Sequence, residues 1–173
     1  MNKELKLIPG VVERLSEETK IEPIRKLIEG GSLNAELVWH RDKTVLSIDD
    51  AVQVHHVGPE NIMKCLCFID KKGRVAGVIA SSEVKIDMKK LEEAAALKKP
   101  RLMLPNELKA RFNKEPGEID PLTLAGKVDS LFIESTLLDK KFVIGSAGSK
   151  FCGFKITPEE LLTVTKARVE KLS

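Results

Sequence analysis

Apolar positions fall into short runs whose spacing switches between alternation and helical periodicity, with turn residues between them. Residues 62–69 alternate. Met63, Cys65, Cys67 and Ile69 share one face, and Lys64, Leu66 and Phe68 the other. Asp70-Lys71-Lys72-Gly73 reads as a hairpin loop, and 74–80 returns as the partner strand. Leu37-Val38-Trp39 is a short strand ending at His40. Residues 101–104, 131–134, 142–144 and 151–156 read as further strands, the middle two joined through Asp139-Lys140-Lys141. Ser47 before Ile48-Asp49-Asp50 predicts a capped helix to about residue 55, and Pro59-Glu60-Asn61 a turn. Residues 87–97 put Met88, Leu91, Ala94 and Ala95 on one helical face, and Pro105 opens another helix. Thr157-Pro158-Glu159-Glu160 combines an N-cap, a first-turn proline and a capping-box glutamate.

Two stretches stand apart. Residues 1–32 read as a helical N-terminal extension to a main domain of residues 33–173. Pro9 and Pro23 sit where first-turn prolines are tolerated, 22–29 place Ile24, Leu27 and Ile28 on one face, and Gly30-Gly31 ends the segment. Its six acids and six bases cancel, and it carries no evident chemistry; packing or oligomer contact is the expected role. In 112–125, Pro116, Gly117 and Pro121 interrupt regular structure, as Gly126 does just beyond. So long a loop in a compact domain points to function or disorder. Strand pairs with interspersed helices make an α+β domain with a mixed sheet.

Composition narrows the classes. The chain has 173 residues, 42% hydrophobic and 32% charged, which excludes a disordered protein. No apolar run is long enough for a bilayer, so no membrane partner is expected. The charged opening residues lack the apolar core of a secretory signal. Three cysteines, Cys65 and Cys67 two apart in an apolar run and Cys152 far away, fit reduced thiols of a cytoplasmic protein better than a disulfide framework. Net charge is only +3, but it is segregated. Residues 84–114 hold nine Lys/Arg against four acids, and 115–139 hold six acids against Lys127. The basic block suits a phosphate backbone or an ordinary solvated surface. With no Tyr and one Trp, extensive base stacking is not expected.

Lys64 interrupts an apolar strand, so its ammonium needs a polar cleft, a charge partner or a solvent-facing edge. Gly145-Ser146-Ala147-Gly148-Ser149-Lys150 lacks Walker spacing and reads as a glycine-bearing connection or an anion-binding nest. Cys65, Cys67 and Cys152 read as core thiols, and His40, His55 and His56 as structural or surface residues without metal-ligand spacing. No metal or cofactor is expected.

The ordered set of motifs around Lys64 resembles the YbaK/ProX family of aminoacyl-tRNA editing deacylases, also found as the insertion domain of bacterial prolyl-tRNA synthetases. The resemblance runs through Val45-Leu46-Ser47-Ile48-Asp49-Asp50-Ala51, Ile62-Met63-Lys64-Cys65-Leu66, Val84-Lys85-Ile86-Asp87-Met88-Lys89-Lys90-Leu91 and a Gly-x-x-x-Pro loop from Gly117 to Pro121. It continues through Phe132-Ile133-Glu134-Ser135, Gly145-Ser146-Ala147-Gly148 and Ile156-Thr157-Pro158-Glu159-Glu160. It implies a mixed, largely antiparallel, barrel-like β-sheet core flanked by helices. It also implies hydrolysis, in trans, of the ester joining a wrong amino acid to tRNA, with alanine or cysteine on proline tRNA as the typical substrate. By the same resemblance, Lys64 and Gly117 are catalytic, and Cys65, Pro121, Gly145, Ser146, Ala147 and Gly148 bind substrate. For such a substrate the basic block, through Lys85, Lys89 and Lys90, is the expected holder of the tRNA acceptor end, the other reading being a solvated helix surface. Prolyl-tRNA synthetase is the implied protein partner.

Four features depart from the family pattern: Cys65 after the lysine, Ser81-Ser82-Glu83 before the helix, Glu134 for an aspartate, and Glu118 and Asp120 inside the Gly-x-x-x-Pro loop. Carboxylates beside an anionic substrate repel its phosphates unless they face away. Two classes therefore stay open, a trans-editing deacylase and an inactive tRNA- or synthetase-binding module.

Overall fold

In the computed structural model, residues 9–40 and 43–173 are described, with side chains from residue 16 onward; the charged opening residues lie outside them. Helices are α1 (Pro9–Glu29), α2 (Ile48–His55), α3 (Met88–Ala95), α4 (Pro105–Phe112), α5 (Pro121–Leu124) and α6 (Pro158–Thr165). Strands are β1 (Ala35–Trp39), β2 (Met63–Ile69), β3 (Val75–Ser81), β4 (Arg101–Leu102), β5 (Ser130–Glu134), β6 (Val143–Ser149), β7 (Cys152–Ile156) and β8 (Arg168–Glu170). Among these residues no helix is long and apolar enough to cross a membrane.

The strands form two sheets rather than a closed barrel. One is three-stranded and antiparallel, ordered β1-β7-β6. The other is five-stranded and mixed, ordered β4-β2-β3-β5-β8, with β5 parallel to both β3 and β8. An isolated parallel bridge between Ile62 and Ile144 marks where the sheets approach.

β3 is buried along its whole length, because the five-stranded sheet is covered on both faces. One face gives Met63, Ile79 and Ile133 to the main core, with Phe154 and Ile156 of the other sheet. The opposite face packs Phe68, Val78 and Phe132 against Leu91 of α3. The alternation read along β2 therefore holds. Asp70 pins the β2–β3 hairpin by accepting from Lys72 N, Arg74 N and the Arg74 guanidinium.

Some local expectations give way to tertiary structure. Pro23 does not open a helix but lies inside α1, without an N–H for the preceding turn. Packing carries the helix past it, since Ile21 and Ile24 are fully buried beside Leu33, although Leu27 is exposed. The 112–125 loop contains a short helix, α5, capped by Asp120. The strands at 131–134 and 142–144 do not pair; they belong to different sheets, separated by a 3-10 turn at Ser135–Asp139. β6 runs through the glycine segment to Ser149, with an irregularity between Ser146 and Ser149.

Candidate active site

A cavity of about 340 Å³ opens between the sheets and the segment around Gly117, within the usual range of roughly 300–1,000 Å³ for ligand sites. Five parts of the chain build it. β2 and the residue before it bring Ile62, Met63, Lys64, Cys65 and Leu66. α2 and its approach bring Val45, Leu46, Ser47, Ile48, Ala51 and His55. Gly117 and Ile119 come from the loop before α5. Ile144, Gly145, Ser146, Ser149, Cys152 and Gly153 come from β6 and β7, and His40 closes the end of β1.

Of the residues singled out in the sequence, Lys64, Cys65, Gly117, Gly145 and Ser146 line this cavity. Pro121, Ala147 and Gly148 do not. Pro121 starts α5, Ala147 is core, and Gly148 stands behind the wall. Lys85, Lys89 and Lys90 are exposed, the last two in the first turn of α3. The Lys90 ammonium meets the Ser173 carbonyl.

Lys64 pairs with Ala80 through the backbone, and its side chain leaves the strand half-buried. Its Nζ donates to the carbonyls of Val84 at 2.6 Å and Ser82 at 3.2 Å. Burial lowers its pKa below the ordinary lysine value. An ammonium has three donors, so these two bonds leave one for a ligand. The same bonds tie the cavity to the turn that leads into Lys85 and α3.

The polar and apolar walls differ. Met63, Ile119 and Ile144 supply an apolar lining, and Ser146 sits on β6, where its Oγ accepts from Gly148 N at 3.0 Å. That amide is therefore committed inside the chain, which argues against an anion nest at the glycines. Gly145 has another reason to lack a side chain: a Cβ there would lie 2.6 Å from Met63 Cε and Cγ. The thiols are chemically quiet. Burial pushes Cys65 well above the usual thiol range and takes Cys67 and Cys152 to about 12. Protonated at neutral pH, they are poor nucleophiles.

Neither of the two added loop acids lines the cavity. Glu118 is 2% exposed and bonds Lys20 at 2.6 Å, while Asp120 is 4% exposed and accepts from Thr123 N at 2.8 Å. Glu134 is also internal, capping its 3-10 turn through Thr136 N and accepting from Ser173 Oγ.

Sequence reasoning missed the histidines as cavity residues. The His40 and His55 rings meet edge to face, with centroids 5.4 Å apart. His40 Nδ1 lies 2.8 Å from the Lys43 carbonyl, which places its proton there. Among the described residues His55 Nδ1 is buried without a partner, and burial, then His40 and His56, lowers its pKa, which favours the neutral ring. The signal was present: Ile48, Ala51 and His55 recur at i, i+3 and i+7 on α2, one helical face.

Gly148 carries a prediction of its own. Its φ is +102°, and a Cβ would lie 3.0 Å from the Lys20 carbonyl. Gly148→Ala is expected to lower stability by about 1–2 kcal/mol, read from the denaturant midpoint. An unchanged midpoint would contradict the close approach.

Known proteins share this fold. A crystal structure of the hypothetical protein APE2540 superposes with a TM-score of 0.76 at 24% identity, over 84% of this chain and 95% of that one. That of a proposed trans-editing enzyme for prolyl tRNA synthetase gives 0.75 at 22% identity, over 89% and 96%. The protein YwhH of Bacillus subtilis (strain 168), uncharacterised, is 25% identical over 138 residues, 76% of this chain and 87% of that one. At these identities the two solved structures speak for the fold, a YbaK-like α+β editing fold. The sequence match that covers Lys64, the Gly117 loop, the β6 glycines and most of α6 runs over residues 42–164, and by it the chain belongs to the aminoacyl-tRNA editing domain family.

Proposed function

We propose that the protein is a free-standing aminoacyl-tRNA deacylase, acting in the cytoplasm on mischarged tRNA in trans, with a small aminoacyl group such as alanine or cysteine on proline tRNA. The carrying observation is that Lys64, Gly117 and the Gly145-Ser146 segment, far apart in sequence, surround one cavity with an apolar floor. The prolyl-tRNA choice is supported by the named role of a structural neighbour, and the same role makes prolyl-tRNA synthetase the proposed partner.

The chemistry needs no side-chain nucleophile. Water attacks the ester carbonyl, an oxyanion develops, and the C–O bond to the ribose breaks as the ribose oxygen takes a proton. The amino acid leaves as its carboxylate. Lys64 supplies a cation, and backbone N–H groups supply dipoles, where the oxyanion forms. A hydroxyl of the substrate ribose assists the water. Lys85, Lys89 and Lys90 on the far side of the Ser82–Val84 turn contact acceptor-stem phosphates, which position the stem without reading its sequence. The ion pair of Glu118 with Lys20, and the engagement of Asp120 as the cap of α5, support the enzyme over an inactive binding module.

The test is a deacylation screen over proline tRNA charged with alanine, cysteine, serine or proline. Faster release of at least one non-cognate amino acid, with the prolyl ester spared, is expected. tRNA binding with no release from any ester would assign the fold a binding role.

A further inference from the structure

Behind the cavity, three segments distant in sequence meet at one polar junction. Lys20 of α1 places Nζ 2.6 Å from Glu118 Oε1 and 2.8 Å from Glu17 Oε1. The other Glu17 oxygen accepts from Ser149 Oγ, at the end of β6. The second Glu118 oxygen accepts from Glu115 N at 3.1 Å. Lys114, just before the loop, donates to the Gly148 carbonyl at 3.0 Å. Glu17 and Glu118 are 8% and 2% exposed, so each depends on the junction for its charge partners. Burial works against the Lys20 charge, but its bonds to Glu118 and Glu17 outweigh it and raise the Lys20 pKa.

Both ends of the junction are cavity wall. Glu118 stands between Gly117 and Ile119, which line the cavity on one side, and Ser149 lines it on the other. A fold that needed only adhesion between α1 and the core already has Ile21 and Ile24 for it, both fully buried. The ion pairs add a fixed distance between two walls that no backbone ladder joins.

We infer that Lys20 is a positioning residue of the pocket: it latches the Gly117–Ile119 segment to α1 and, through Glu17, to β6, and so sets how large an aminoacyl group the pocket accepts. The consequence for selectivity rests on the deacylase reading; the latch itself does not. α1 is then a working part of the site and not an accessory to it.

Lys20→Met removes the ammonium and keeps the stem, leaving Glu17 and Glu118 unpaired. Hydrogen exchange at the amides of 117–120 is expected to speed up at least tenfold, with β3 amides unchanged. The ratio of alanyl to leucyl ester hydrolysis on one tRNA is expected to fall at least threefold, and Lys20→Arg to restore it. If Lys20→Met does not fold, the double variant Lys20→Met/Glu118→Gln removes one stranded charge and still lacks the latch, so both shifts are expected there. A folded variant with wild-type loop exchange and wild-type selectivity would overturn the inference. So would a lowered melting temperature with both readouts unchanged, since that is a purely structural role. Wild-type protein inactive on every ester would fell the deacylase reading, while the exchange comparison still decides the latch.

Discussion

Lys64→Ala is expected to slow deacylation at least tenfold, about 1.4 kcal/mol of barrier, while the protein stays folded. The fold is expected to survive because β2 is held by its backbone ladder to β3 over seven residue pairs, from Met63↔Ser81 to Ile69↔Val75. The side chain contributes two bonds to carbonyls at 2.6 and 3.2 Å, and its removal also ends the cost of a half-buried ammonium. What disappears is the one cation that β2 places in the cavity wall. Lys64→Met keeps most of the stem and separates the effect of charge from that of packing. A folded alanine variant that hydrolyses its ester at the wild-type rate would remove Lys64 from the mechanism.

Reversing Lys85, Lys89 and Lys90 together to Glu is expected to weaken tRNA binding at least tenfold at low salt. The dependence of log affinity on log salt should become shallower by about 2–3 units, roughly one for each phosphate that is no longer neutralised. All three residues are exposed, and Asp87 orders the start of their helix by accepting from Lys89 N and Lys90 N. Hydrolysis of an aminoacyl-ribose mimic without a stem should barely change, because none of the three lines the cavity. Affinity measured at two salt concentrations checks this. Wild-type affinity with an unchanged slope would show that these lysines only solvate a helix packed through Leu91.

What was legible in the sequence was mostly local. The Ser47 and Thr157 caps, the alternation along β2 and the hairpin at Asp70 depend on residues a few positions apart, and each stands where its pattern puts it. What was not legible depends on partners far away. Pro23 looks like a helix start until Ile21 and Ile24 find the core. Gly145 and Gly148 look like loop glycines, but they are glycines because Met63 and the Lys20 carbonyl come so close. β8 is three residues long and exists through parallel pairing with β5. The loop acids looked like a threat to an anionic substrate. Lys20, 98 positions from Glu118, neutralises one of them, and no spacing in the chain announces the pair.

The central claim is that the space between Lys64, Gly117 and Ser146 receives the aminoacyl ester. A hydrolysis-resistant amide analogue of 3′-alanyl-adenosine, titrated into isotope-labelled protein, tests it by the position of the perturbed signals. The account predicts that the amides of Cys65, Gly117, Gly145 and Ser146 and the Lys64 side chain shift together, with intermolecular contacts from the alanyl methyl to Met63 or Ile119. Saturable binding that leaves all of these unmoved and perturbs another surface would contradict it.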